Sequence, residues 1–183
     1  MKFVRNFLAV AIAAVTLAAL SPAARADDAK VIDTKVQMAL KQLYATVPGS
    51  QELAQRSKGV LVMPEVTKAG LIVGGAYGEG ALLINGRTVG YYSVAAASFG
   101  LQIGIQQTKH ALFFLTQAAL EKFRRADGWQ LGADAEFTVP DNGVNVNVST
   151  KTSNKPVILV VFGQDGLLAG VSMEGSKYSK INR

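Results

Sequence analysis

The chain has 183 residues, 19 Lys and Arg against 13 Asp and Glu, a formal charge of +6, and no cysteine. That length bounds one domain with room for a real core. The lack of cysteine excludes disulfides, thiolate metal sites and cysteine nucleophiles. Half of the +6 lies in Lys2, Arg5 and Arg25 near the start. The remainder is too mildly basic for a nucleic-acid binder but suits loose contact with anionic surfaces.

Residues 1–26 read as a secretory signal peptide. Lys2 and Arg5 give the positive start, Phe7 to Leu20 is apolar apart from Thr16, and Ala24-Arg25-Ala26 offers small residues for cleavage. The apolar stretch falls short of the roughly 20 residues a membrane span needs. The expected product is a single domain over 27–183, periplasmic or secreted after cleavage near Ala26.

Ile32, Val36, Ala39, Leu40, Leu43 and Val47 recur at helical spacing and predict a helix over 28–47, stopped by Pro48-Gly49. It reads either as a lid over the core or as an amphipathic membrane-facing helix. Ser50 caps a second short helix to Ser57. From Lys58 the pattern turns to strand. Gly59–Met63 is an apolar run closed by Pro64. Leu71–Tyr77 and Ala81–Ile84 are joined through Gly78-Glu79-Gly80. Asn85-Gly86 is a hairpin dipeptide, and Thr88–Ser98 continues as strand. Leu101, Ile103 and Ile105 alternate with polar or glycine neighbours. Ala111–Leu115 is a further apolar run, with His110 as a turn residue before it. Thr116 caps a helix over Gln117–Ala126 that ends in Lys122, Arg124 and Arg125.

Trp129 to Val139 alternates as one long two-faced strand. Pro140-Asp141-Asn142-Gly143 turns the chain, and Val144, Val146 and Val148 mark the returning partner. Val157–Phe162, apolar on both faces, reads as a central strand. A turn at Gly163–Gly166 leads to a last core strand, Leu167–Met173. Half of the 18 glycines fall between Gly70 and Gly104, where they permit close backbone approach and bending. The fold class is therefore α+β. The expected form is a mostly antiparallel, strongly curved sheet or barrel-like sandwich, with an N-terminal helix and one or two short helices.

Little of this chain points to catalysis. Gly75 to Gly80 has the wrong glycine order for a dinucleotide loop and leads into a strand. His110 is the sole histidine, too few for a zinc hydrolase site. No Gly-x-Ser-x-Gly elbow accompanies it. Asp134 and Glu136 share a strand face but read as solvated, and the Asp141 turn lacks the ligand density of a calcium loop. No cofactor is expected and the chain reads as a non-enzyme. The positive residues remain. Lys35, Lys41, Lys58, Lys68, Arg87, Lys109, Lys122, Arg124 and Arg125 lie mostly at element ends and are the candidate lipid-binding residues. His110 adds a headgroup contact that strengthens on protonation.

Several motifs carry a resemblance. Lys58-Gly59-Val60-Leu61-Val62-Met63-Pro64, Lys68-Ala69-Gly70 and Val73-Gly74-Gly75-Ala76-Tyr77-Gly78-Glu79-Gly80 come first. Tyr91-Tyr92-Ser93, Ala97 to Gly104, Phe113-Phe114-Leu115-Thr116, Trp129 to Ala135 and Gly166 to Gly175 follow in order. Together these resemble the SYLF domain family. The resemblance implies membrane binding, since eukaryotic SYLF domains bind phosphoinositide-rich membranes and some fungal ones bind and bundle actin. By position, helix 28–47 would be the membrane-associated segment. An exported chain meets neither actin nor a cytosolic leaflet, and this one lacks the acylated cysteine of lipoprotein relatives. The expected function is an exported lipid-binding module that contacts anionic phospholipid through basic residues and the N-terminal helix. The alternative is a cell-envelope structural or adaptor protein with a protein partner.

Overall fold

The computed structural model describes residues 27–70, 73–99, 104–132, 135–138, 155–165 and 175–183. The signal peptide at 1–26, Leu101 and Ile103, Asp134, the turn and return strand at 140–154, and the Leu167–Met173 strand lie outside the described residues.

The helices stand close to their expected places. Helix α1 spans Ala29–Thr46, α2 spans Ser50–Arg56 and α3 spans Gln117–Arg125. Thr116 caps α3 as its sequence position requires, its Oγ1 accepting from the Ala119 amide at 3.2 Å. Ser50 is the first residue of α2 rather than its cap. Gly49 holds the cap position with φ +83°, and the Ser50 hydroxyl donates to the Leu43 carbonyl at 3.1 Å, tying α2 to α1.

Eight described strands form one sheet. They are β1 Gly59–Gly70, β2 Val73–Ile84, β3 Arg87–Phe99, β4 Gly104–Phe114, β5 Trp129–Gln130, β6 Ala135–Thr138, β7 Val157–Asp165 and β8 Lys177–Ile181. Their order is β5-β8-β3-β2-β1-β4-β7-β6, antiparallel throughout except for the parallel pair β6–β7. The fold is α+β with a strongly curled half-barrel sheet.

Where the strands depart from expectation, the cause is local. Pro64 does not close β1. The ladder to both neighbours shifts register around it, so the residue without an N–H sits in a bulge and the strand continues. Gly78-Glu79-Gly80 is not a connection but the middle of β2. A Cβ at Gly78 would collide with the Glu65 carbonyl oxygen, and one at Gly80 with that of Val62. The two glycines let the bulged β1 bear directly on β2. The Lys109-His110 turn is absent, and β4 runs straight through it. The expected long strand from Trp129 is split, with β5 pairing β8 and β6 pairing β7 on opposite edges of the sheet. The turn at Gly163 falls inside β7 as a register shift against β4. The hairpin at Asn85-Gly86 forms as read, with both φ values positive, +51° and +74°, and leads into β3 where Thr88–Ser98 reads as strand.

The sheet is packed on both faces. On the convex face, Ile32, Val36, Ala39, Leu40 and Leu43 of α1 lie against Val60, Val62, Ala81, Leu83, Phe113 and Val160. The apolar stripe of α1 is therefore used as a lid. What α1 shows to the outside is its polar side with Val31 and Met38. On the concave face, Leu61, Met63, Leu82, Tyr92, Leu112 and Phe114 meet Leu120 and Phe123 of α3, beside Tyr178 of β8. His110 and Tyr178 measure the curl. Three strands separate β4 from β8, about 19 Å in a flat sheet, yet the Tyr178 hydroxyl is 2.9 Å from His110 Nε2.

Candidate lysine-lined groove

Helix α1 is held on the convex face by polar contacts as well as by its stripe. Asp33 accepts from the Thr88 hydroxyl at 2.8 Å and from the Tyr91 hydroxyl at 3.0 Å. Lys35 donates to Asp27 at 2.6 Å and to Glu65 at 3.4 Å, and Glu65 also accepts from Gln107 at 3.1 Å. The hydrogen bond that Lys35 donates to Asp27 raises the Lys35 pKa above the ordinary lysine value against the opposing effect of burial, and Glu65 adds to the rise. Lys35 is thus charged but locally neutralised.

Beside this contact lies a groove of about 700 Å³ between α1 and the β1–β4 pair. Met38, Ala39, Ala45 and Pro64 supply its apolar surface, and Lys35, Lys41 and Lys109 its positive charge. Met38 is 68% exposed, the most exposed large apolar side chain among the described residues. Lys109 comes from β4 and extends over Gly163 next to Gln42 of α1, because Gly163 has no side chain to displace it. Lys41 and Lys109 have no carboxylate partner among the described residues, so their charge is available. A groove that sets two unpaired ammonium groups beside an exposed thioether fits a ligand that is anionic at one end and oily at the other.

The nine candidate cations do not converge on one surface. Lys35, Lys41 and Lys109 share the groove. Lys58 and Arg87 lie at the end where β1 and β3 begin, and Lys122, Arg124 and Arg125 lie in the last turn of α3 on the concave side. Of these, Arg125 pairs with Glu121 one helical turn back at 3.2 Å, and Lys122 is also engaged. Lys68 stands apart on the concave face, in register with Ala76 and Gln106.

His110 is neither a turn residue nor a headgroup contact. It is fully buried in β4, and burial lowers its pKa to about 3. The same burial raises the Tyr178 pKa. The sequence reading also missed Asp27, Asp33 and Glu65 as the groups that seat α1. Asp33 and Glu65 find their partners 30 to 58 residues away, and Asp27 meets Lys35 eight residues on, so no short motif marks them. Among the described residues no group of three or more His, Cys, Asp or Glu could hold a metal ion, and no helix is long and apolar enough to cross a membrane.

Comparison with known proteins matches residues 95–182 to the family described as Ysc84, Las17-binding protein actin regulator. The chain is also 28% identical over 126 residues to SH3 domain-containing YSC84-like protein 1 of Pongo abelii, covering 66% of this chain. It spans only 36% of that relative's length. The matched stretch runs from β3 to β8 and contains Lys109, whereas α1, the other wall of the groove, lies before it. The stretch 95–182, which includes α3, is thus the part of this chain that matches the Ysc84 (SYLF) family.

Proposed function

We propose that this chain is an exported, non-enzymatic binding module that docks on anionic phospholipid at the groove between α1 and β4. The observation that carries this reading is the placement of Lys41 and Lys109, both without carboxylate partners among the described residues, beside exposed Met38. Each lysine held near an anionic bilayer contributes about 1 kcal/mol. Two such groups with one inserted thioether give weak, salt-sensitive association. Helix α1 takes part through its outer face only, because its apolar stripe is already buried. The actin regulation in the family's description does not transfer to an exported chain, whereas contact with lipid does.

Flotation with vesicles tests the reading. Phosphatidylglycerol or cardiolipin vesicles should carry the protein at low salt and release it as ionic strength rises. The K41E/K109E double variant should lose roughly tenfold or more in recovery. Equal recovery with phosphatidylcholine vesicles would remove the proposal.

A further inference from the structure

We infer that the concave face of the sheet, at the end away from α3, holds a buried site for a small oxyanion, a carboxylate or a phosphate group. Strand register sets out the site. Lys68 of β1 pairs with Gln106 of β4 on one side and with Ala76 of β2 on the other, and Ala76 pairs with Ala96 of β3. Tyr178 of β8 is opposite Val94 and Lys177 opposite Ala95, so Ser176, the residue just before β8, extends that register toward Ala96. One row across the curled sheet therefore reads Gln106, Lys68, Ala76, Ala96, Ser176. Its middle is floored by two alanines, and its flanks carry hydrogen-bond donors.

Those donors lack acceptors. Gln106 is 5% exposed and Ser176 is fully buried, yet Gln106 Nε2 and Ser176 Oγ have no hydrogen-bond partner. Lys68, half-buried, has no carboxylate partner among the described residues. Two steps further along β4 on the concave face, past Thr108, lies another. His110 and Tyr178 share one hydrogen bond, and His110 Nδ1 is buried without a partner. A neutral imidazole and a phenol bring two hydrogens to that single bond. If the hydroxyl donates to Nε2, the Nδ1 hydrogen has no acceptor. If Nε2 donates, the hydroxyl hydrogen has none. Buried polar groups in folded proteins nearly always find partners. Here the amide and hydroxyl donors stand unmatched on one curled face beside a lysine. A ligand that offers several acceptor oxygens and one negative charge completes such a set.

Titration of the ¹⁵N-labelled chain tests the inference, with inorganic phosphate in one arm and dihexanoylphosphatidylglycerol below its micellar concentration in the other. The Gln106 side-chain amide should shift and saturate. Saturation by phosphate alone identifies a free anion as sufficient, and a response confined to the lipid identifies a headgroup. K68M and Q106L should each weaken the response of the backbone amides around Ser176 roughly tenfold, the loss expected for one charge-assisted or buried hydrogen bond. K41E/K109E should keep the response while losing vesicle flotation, which separates this site from the groove. No response to either probe, or a response unchanged in K68M and Q106L, would overturn the inference.

Discussion

The two faces of the sheet are stabilised in different ways. The convex face is covered by a helix whose stripe fits the strands below, and its polar contacts lie at the margin, where Asp33 and Lys35 reach partly exposed partners. The concave face has no such separation. Phe123 packs against Tyr92, Phe114, Trp129 and Tyr178 at centroid distances of 4.8 to 6.5 Å, while His110, Gln106 and Ser176 are buried with unmet hydrogen-bonding capacity. A face that serves only stability can keep its polar groups at the rim. A face that keeps them inside gives up stability, as a face that binds a polar ligand must.

The aromatic cluster should give the largest effect. Phe123→Ala removes the ring that joins α3 to the concave face and should cost about 3–5 kcal/mol in urea unfolding. An equal loss for Leu43→Ala on the convex face would show the two faces to be equally cooperative. Gly80→Ala should come next, at about 3 kcal/mol, because the new Cβ meets the Val62 backbone rather than a side chain that can turn aside. Gly75→Ala, where the nearest atom is the Ala96 carbonyl oxygen at 3.7 Å, should be close to neutral. If both glycine variants behave alike, β2 is not pressed against the β1 bulge as described.

How much of this could be read in the sequence also differs between the faces. The convex side was legible, since Ile32 to Leu43 recur at helical spacing and the same residues are the buried ones. The Asn85-Gly86 turn and the Thr116 cap were legible because each is decided within four residues. The concave side was not. His110 looks like a turn residue because its neighbour is Lys109 and its side-chain hydrogen-bond partner is 68 residues away. Gly78 and Gly80 look like a connection because the backbone they accommodate belongs to another strand. Strand β8 was missed because Lys177, Ser179 and Lys180 dilute the apolar signal, although Tyr178 is buried. The groove was half legible. Lys35 and Lys41 share a helix, but Lys109 joins them only once β4 is placed beside α1.

Acid distinguishes the faces further. His110 has a pKa of about 3 in the folded chain against about 6.5 when unfolded. The unfolded state thus binds the extra proton first as pH falls. The stability gained by keeping His110 neutral is complete above about pH 6.5 and is lost as pH drops toward 3. Between pH 6.5 and 5, where most carboxylates remain ionised, the loss should be about 2 kcal/mol. His110→Phe should flatten that slope in pH-dependent urea unfolding. A slope unchanged in the variant would mean that the imidazole gains access to water in the folded state.

The smallest effect should come from the margin of the convex face. Asp33 accepts two hydroxyl hydrogen bonds, from Thr88 and Tyr91 on β3, and is only partly buried. Its charge and the Tyr91 phenol are linked, since burial, first, and then the bond to Asp33 raise the Tyr91 pKa. Asp33→Ala leaves both hydroxyls able to turn to water, so no buried group is orphaned. The cost should be near 1 kcal/mol, the net value of a typical hydrogen bond. Thermal unfolding should place the variant roughly 2–4 °C below the parent. The apolar stripe should keep α1 seated, so circular dichroism should show no loss of helix below the transition. If Asp33→Ala instead releases α1, the margin holds the helix and the stripe does not. The groove formed by Lys41 and Lys109 would then open and close with a single carboxylate.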